Sequence, residues 1–137
     1  MCLDNSRKPT EEESKTKFGY KMFEVGYCGE LLYPFFTNGK EISPRQFFWN
    51  KNKSTGFFGV ISDSAHKGFH TFFNKDDAII YAKSFVRATL CSTVVYLVEV
   101  RDITEVGTQH TLDIDGFKKL NVPCFRCQKF KLKEHIW

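Results

Sequence analysis

Hydrophobic and polar positions along the chain alternate with a period of two more often than with the period of a helix. Residues 18–25 (FGYKMFEV) carry strand-forming aromatic and branched side chains, with Phe18, Tyr20 and Met22 on one face. The run 31–36 (LLYPFF) contains Pro34, which suits an edge strand, and Asn38-Gly39 is a tight-turn signal. Residues 43–56 read as a loop anchored by Phe47, Phe48 and Trp49. Two short apolar runs follow, 57–61 (FFGVI) and 69–73 (FHTFF), as further strands.

A helix is predicted over about 75–90. Asn74 suits its N-cap, Asp76 and Asp77 sit in its first turn, and Ala78, Tyr81, Ala82, Phe85, Val86 and Ala88 form one apolar face. The branched run 93–103 (TVVYLVEVRDI) reads as a central strand with Val94, Tyr96, Val98 and Val100 on its apolar side. After Gly107 a second short strand, 109–114, leads to an Asp115-Gly116 turn. The last stretch alternates over 128–133, with Phe130 and Leu132 against Lys129, Lys131 and Lys133. The sum is an α+β protein: a mostly antiparallel sheet of six to eight strands with one main helix. Residues 1–16 are polar and read as a flexible N-terminal arm, and 17–137 as a single α+β domain.

Composition narrows the class. With 137 residues, 42% apolar and 26% charged, the chain is one ordinary folded domain rather than a disordered segment. Fifteen Phe, five Tyr and two Trp supply an aromatic core from few positions. The net charge of +4 is mild for a dedicated nucleic-acid binder, so nucleic acid is not the expected partner. The cations cluster late, at Lys118, Lys119, Arg126, Lys129, Lys131 and Lys133. That face is expected to be a solvated strand surface discouraging edge pairing, or else a contact for an anionic partner. No apolar run reaches membrane-spanning length and no leader pattern opens the chain, so a cytoplasmic location and no membrane partner are expected.

Five cysteines in an odd count argue against a disulfide scaffold. Cys124 and Cys127 form a lone C-x-x-C flanked by strand pattern, so structural thiols are expected and no metal site. The densest candidate chemistry lies at the entry to the helix. His70 and Thr71 sit among aromatic residues before a helix start, where free N–H groups favour an anion and an imidazole can hydrogen-bond a ribose or phosphate. These two are expected to face a solvent-reachable hollow. Glu105 and Gln109, with Arg101 and Asp102, form a second polar cluster after the central strand, in which Glu105 is the candidate catalytic carboxylate. Dinucleotide, NTPase, zinc-protease and nucleophile-elbow motifs do not occur.

The pieces GYKMFEV, GFHTFFNKDDAIIYAK, VVYLVEVRDITEVGTQ and RCQKFKLKEHIW resemble small uncharacterised proteins of bacteria and their phages, over nearly the whole chain after residue 17. The most specific part is GFH with its following aromatic and D-A-x-x-Y-A, residues 68–82. More distantly, the order of elements is similar to ADP-ribosyltransferase-like folds. That resemblance implies Thr71 and Tyr81 beside a nicotinamide pocket and Glu105 as the catalytic carboxylate. The first strand offers Tyr20 and Lys21 in place of the usual Arg or His.

The expected function is a small binding protein of bacterial or phage origin that recognises a nucleotide-like anion or a host protein, in a phage setting as counter-defence. His70, Thr71, Tyr20, Lys21, Tyr81 and Gln109 are its candidate ligand contacts, without a cofactor. The alternatives are an ADP-ribosyltransferase-like enzyme acting on NAD and a purely structural, protein-interaction domain.

Overall fold

The computed structural model describes residues 3–25, 31–32, 58–59, 69–89, 92–113, 115 and 118–137. In chain order these form β1 (Asp4–Arg7), α1 (Glu11–Ser14), β2 (Phe18–Val25), β3 (Leu31–Leu32), β4 (Phe58–Gly59), β5 (Phe69–Phe72), α2 (Lys75–Thr89), β6 (Thr93–Leu112) and β7 (Lys119–His135). The Asn38-Gly39 turn, the Phe47–Phe48–Trp49 anchors and the loop around them lie outside the described residues.

The architecture is α+β, with one main helix on a sheet whose described pairings are all antiparallel. Its order is β1-β6-β2-β5-β7-β4, with β3 beside β2. Because β6 also pairs with β7, the ladders run β6 to β2, β2 to β5, β5 to β7 and back to β6. Among the described residues the ring is thinnest between β2 and β5, where Tyr20 opposite Phe72 is the one register pair.

Among the described residues, five strands run four residues or longer and two more are two-residue pairings, rather than six to eight full strands. The main reason is β6. The stretch 93–103 and residues 109–112 of the second are not separate strands but parts of one strand of 20 residues, Thr93–Leu112. It bends instead of breaking: Asp102 takes a left-handed φ of 59°, and a register shift follows between Ile103 and Glu105. Asp tolerates that conformation better than most side chains. A second shift lies between Leu97 and Val98 in the β6–β7 ladder, and along β6 the buried positions pass from Thr93 and Val95 on one face to Val98 and Val100 on the other. On the expected apolar side Val98 and Val100 are buried and Val94 and Tyr96 are partly buried against the core.

Gly107 is not a turn residue. Its missing side chain admits β1, since a Cβ there would stand 2.7 Å from the Asp4 carbonyl oxygen and 2.9 Å from Leu3 Cβ. The stretch expected to be a flexible arm correspondingly carries two elements. Asp4 and Arg7 pair with Thr108 and Val106, and Leu3 is buried. Thr10 and Glu13 then form a reciprocal capping box at α1, and Arg7 donates to both Glu13 carboxylate oxygens at 2.6 and 2.9 Å.

In α2, Ala78, Tyr81 and Ala82 are buried as the helical spacing predicts, and Phe85 packs against the core. The Asn74 carbonyl accepts from Ala78, while its side chain donates to Asp77 at 3.0 Å. The helix lies on β6, β2 and β5. On the opposite side of β2 and β5, Phe23, Phe69 and Phe130 pack edge to face or tilted at ring separations of 4.8 and 5.8 Å.

Candidate functional site

Strand β5 is where the candidate ligand contacts were expected to open outward, and all four of its residues are buried. Successive strand side chains point to opposite faces. His70 and Phe72 turn toward α2, where both rings lie near Tyr81, at 6.3 and 5.2 Å. Phe69 and Thr71 turn the other way. The imidazole and the hydroxyl therefore do not share a site, and they are 2% and 0% exposed. The expected hollow in front of them does not form among the described residues. Residues sandwiched between a helix and an aromatic layer have no solvent-facing side.

Two buried polar groups result, one on each face. On the aromatic face, Lys21 is wholly buried. Its Nζ donates to the His70 carbonyl at 2.6 Å and stands 5.5–5.7 Å from the ring centres of Phe23, Phe69 and Phe130. Burial pushes the Lys21 amine down to about 7, with Arg126 pushing the same way and Cys127 opposing. Thr71 Oγ1 lies 3.8 Å from Cys127 Sγ, and burial raises that thiol to about 11.

On the helix face, register sets three side chains in a row. His70 is opposite Arg126 between β5 and β7, and Arg126 is opposite Glu105 between β7 and β6. Burial, then the charges of Lys21 and Arg126, hold His70 well below its ordinary value, while the Gln109 side chain works against them. The ring is thus neutral near neutral pH. Glu105 and Gln109 are each 8% exposed. Cys124 lies opposite Gly107 in the same ladder, raised to about 12 chiefly by burial. Tyr20, opposite Phe72, is partly buried against the core. The fold thus gathers the sequence-predicted residues, but in two layers separated by the sheet. Among the described residues no three His, Cys, Asp or Glu groups converge as a metal site would need.

Among the described residues, open space lies elsewhere. A cavity of about 490 Å³ separates the α1–β2 connection from the bend of β6, lined by Lys15, Lys17, Glu99, Val100, Arg101 and Asp102 among others. Val100 N–H donates to the Lys17 carbonyl at 2.7 Å, fixing the connection against β6. Lys15 and Arg101 are largely exposed, each within 4 Å of one carboxylate, Glu11 and Glu99 respectively. Across the β6–β7 ladder, Arg101 faces Lys129 and Glu99 faces Lys131. Phe18, opposite Glu99 in the β2–β6 ladder, is 48% exposed. Cavities of about 480 Å³, beside Arg7, Phe73 and Pro123, and about 370 Å³, beside Ser84, His110 and Lys119, touch none of the predicted contacts.

No protein-family model, curated protein or solved structure matches this chain. The functional reading therefore rests on the geometry of its own residues.

Sequence reasoning noted Arg101 and Asp102 but grouped them with Glu105 and Gln109. The bend at Asp102 and the shift after Ile103 divide that cluster, leaving Arg101 and Asp102 exposed and Glu105 and Gln109 buried. Lys15, Lys17, Phe18 and Glu99 were missed. Their signal was the polar turn of β6 at Glu99 and Arg101 set against the Lys129–Lys133 alternation.

Proposed function

We propose that the protein binds a small phosphate-bearing, nucleotide-like anion, held in the groove between α1 and the bend of β6. The observation that carries this is a groove lined by Lys15, Lys17 and Arg101, with Arg101 directly opposite Lys129 in the middle of a ladder. Like charges directly opposite each other destabilise a sheet by several tenths of a kcal/mol. Protection of a free sheet edge does not account for them, because β7 is flanked by β6 and β4, and Lys129 also pairs with Gly59. A bound phosphate turns that repulsion into a shared attraction. The volume of about 490 Å³ falls within the usual small-ligand range of about 300–1,000 Å³.

Calorimetry with ATP, AMP and tripolyphosphate tests the reading. Binding is expected for wild type, weakening as salt rises and falling at least tenfold in a Lys17→Gln, Arg101→Gln variant. Silence across the panel would overturn it and turn attention to a protein partner for the same basic face.

A second reading, an NAD-consuming ADP-ribosyltransferase-like enzyme, rests on the row of Glu105, Arg126 and His70, which is buried and would have to open to admit NAD. Mass spectrometry of NAD incubated with wild type and Glu105→Gln decides it: turnover lost in the variant supports an enzyme, and no turnover by wild type removes it.

A further inference from the structure

We infer that the ligand of this groove is a nucleotide whose base stacks on the exposed ring of Phe18. This rests on the anion reading above and names the other half of the ligand.

Phe18 is the most exposed large apolar side chain among the described residues, although it opens a strand whose next five residues are buried or partly buried. Its position relative to the groove is set by register. It follows Lys17, which lines the groove, and stands directly opposite Glu99, which lines it too. Directly opposed residues of an antiparallel pair share a face and approach within about 5.5 Å at Cβ. The ring therefore lies on the same sheet face as the Glu99 carboxylate, next to the groove lining, with Lys131 next in the row beyond Glu99.

The lining has two chemistries. Lys15, Lys17 and Arg101 suit phosphate oxygens. Glu99 and Asp102 do not: two carboxylates in the same cavity repel a bare polyphosphate. They suit a ligand that brings donors together with its negative charge, as a nucleotide does through its ribose hydroxyls and base amino groups. An exposed phenyl ring beside those acceptors adds the surface on which a base stacks, and stacking tolerates any base because each has a π face. An inorganic anion explains the cations alone; a nucleotide explains the cations, the carboxylates and the ring.

The experiment compares ATP with tripolyphosphate by calorimetry in magnesium-free buffer, using wild type, Phe18→Ala and Phe18→Tyr. The expected result is that Phe18→Ala weakens ATP binding by about 5- to 100-fold and changes tripolyphosphate binding less than twofold, while Phe18→Tyr restores ATP affinity. Because the ring is exposed, the variants keep the fold, which a thermal melt verifies. If ATP and tripolyphosphate bind wild type equally and Phe18→Ala alters neither, the stacking inference is overturned while the anion reading stands. If neither compound binds wild type, both fall together.

Discussion

Replacing Lys21 by Met removes an amine from the aromatic interior while keeping a side chain of similar length. The wild-type amine is wholly buried, and its value drops from 10.5 to about 7 on folding. At about 1.4 kcal/mol per pH unit, holding it charged in the fold costs roughly 5 kcal/mol against the neutral form. Between pH 7 and 10.5 the unfolded chain carries the proton and the folded chain does not, so this group's contribution to stability rises with pH across that window. It is fully present above 10.5 and lost as pH falls through 7.

The Met variant lacks this dependence. Urea denaturation at pH 7 and pH 9 is therefore expected to show wild type gaining about 2 kcal/mol on Lys21→Met between the two. The Cys124 thiol is raised in both proteins and cancels in the comparison, whereas Cys127, which Lys21 lowers, is raised further in the variant. Set against this gain, the variant leaves the His70 carbonyl without its Nζ donor, a loss of about 1–3 kcal/mol present at every pH. Parallel stability curves for the two proteins would refute the reasoning, showing the amine to be solvated or equally charged in both states.

Gly107→Ala forces a methyl against the Asp4 carbonyl and Leu3, so β1 must shift; a loss of about 1–3 kcal/mol is expected by calorimetric melting, and a change below about 0.5 would contradict the close approach. The Glu13 carboxyl is held down to about 2, first by the Arg7 hydrogen bonds and then by the Thr10 backbone N–H. Its contribution is present above the ordinary value of 4.5 and lost as pH falls through about 2. In Arg7→Gln, carbon-13 NMR should show its midpoint moving up toward 4.5. Cys124 and Cys127 are buried and raised to about 12 and 11, so peptide mapping after iodoacetamide treatment at pH 8 should find both unmodified in native protein and modified in urea. Labelling of the native protein would show an open route to the interior.

The legible and illegible parts of the fold divide by the range of the interactions involved. The helix was readable because its apolar spacing and its first-turn acids lie within a few residues, and Ala78, Tyr81 and Ala82 are buried as that spacing requires. The capping box at Thr10 and Glu13 was equally local and equally readable, yet the polar composition around it suggested an arm. Gly107 shows the opposite case. A glycine in a strand signals either a turn or a close approach, and only β1, about a hundred residues earlier, decides between them. The His70–Thr71 pairing failed on simple alternation, since strand neighbours face opposite ways.

The sequence alone determined that an aromatic-rich antiparallel sheet would carry one main helix, because period and propensity act over neighbouring residues. Tertiary structure decided where polar groups meet water. His70, Lys21 and Glu105 read as accessible chemistry, but they lie on β5, β2 and β6, strands paired on both sides, and all three are buried. Lys15, Lys17 and Arg101, scattered among ordinary surface charges, converge on one cavity. Exposure depends on which strands become neighbours, and hydrogen bonds between residues tens of positions apart set that order, which no local pattern encodes.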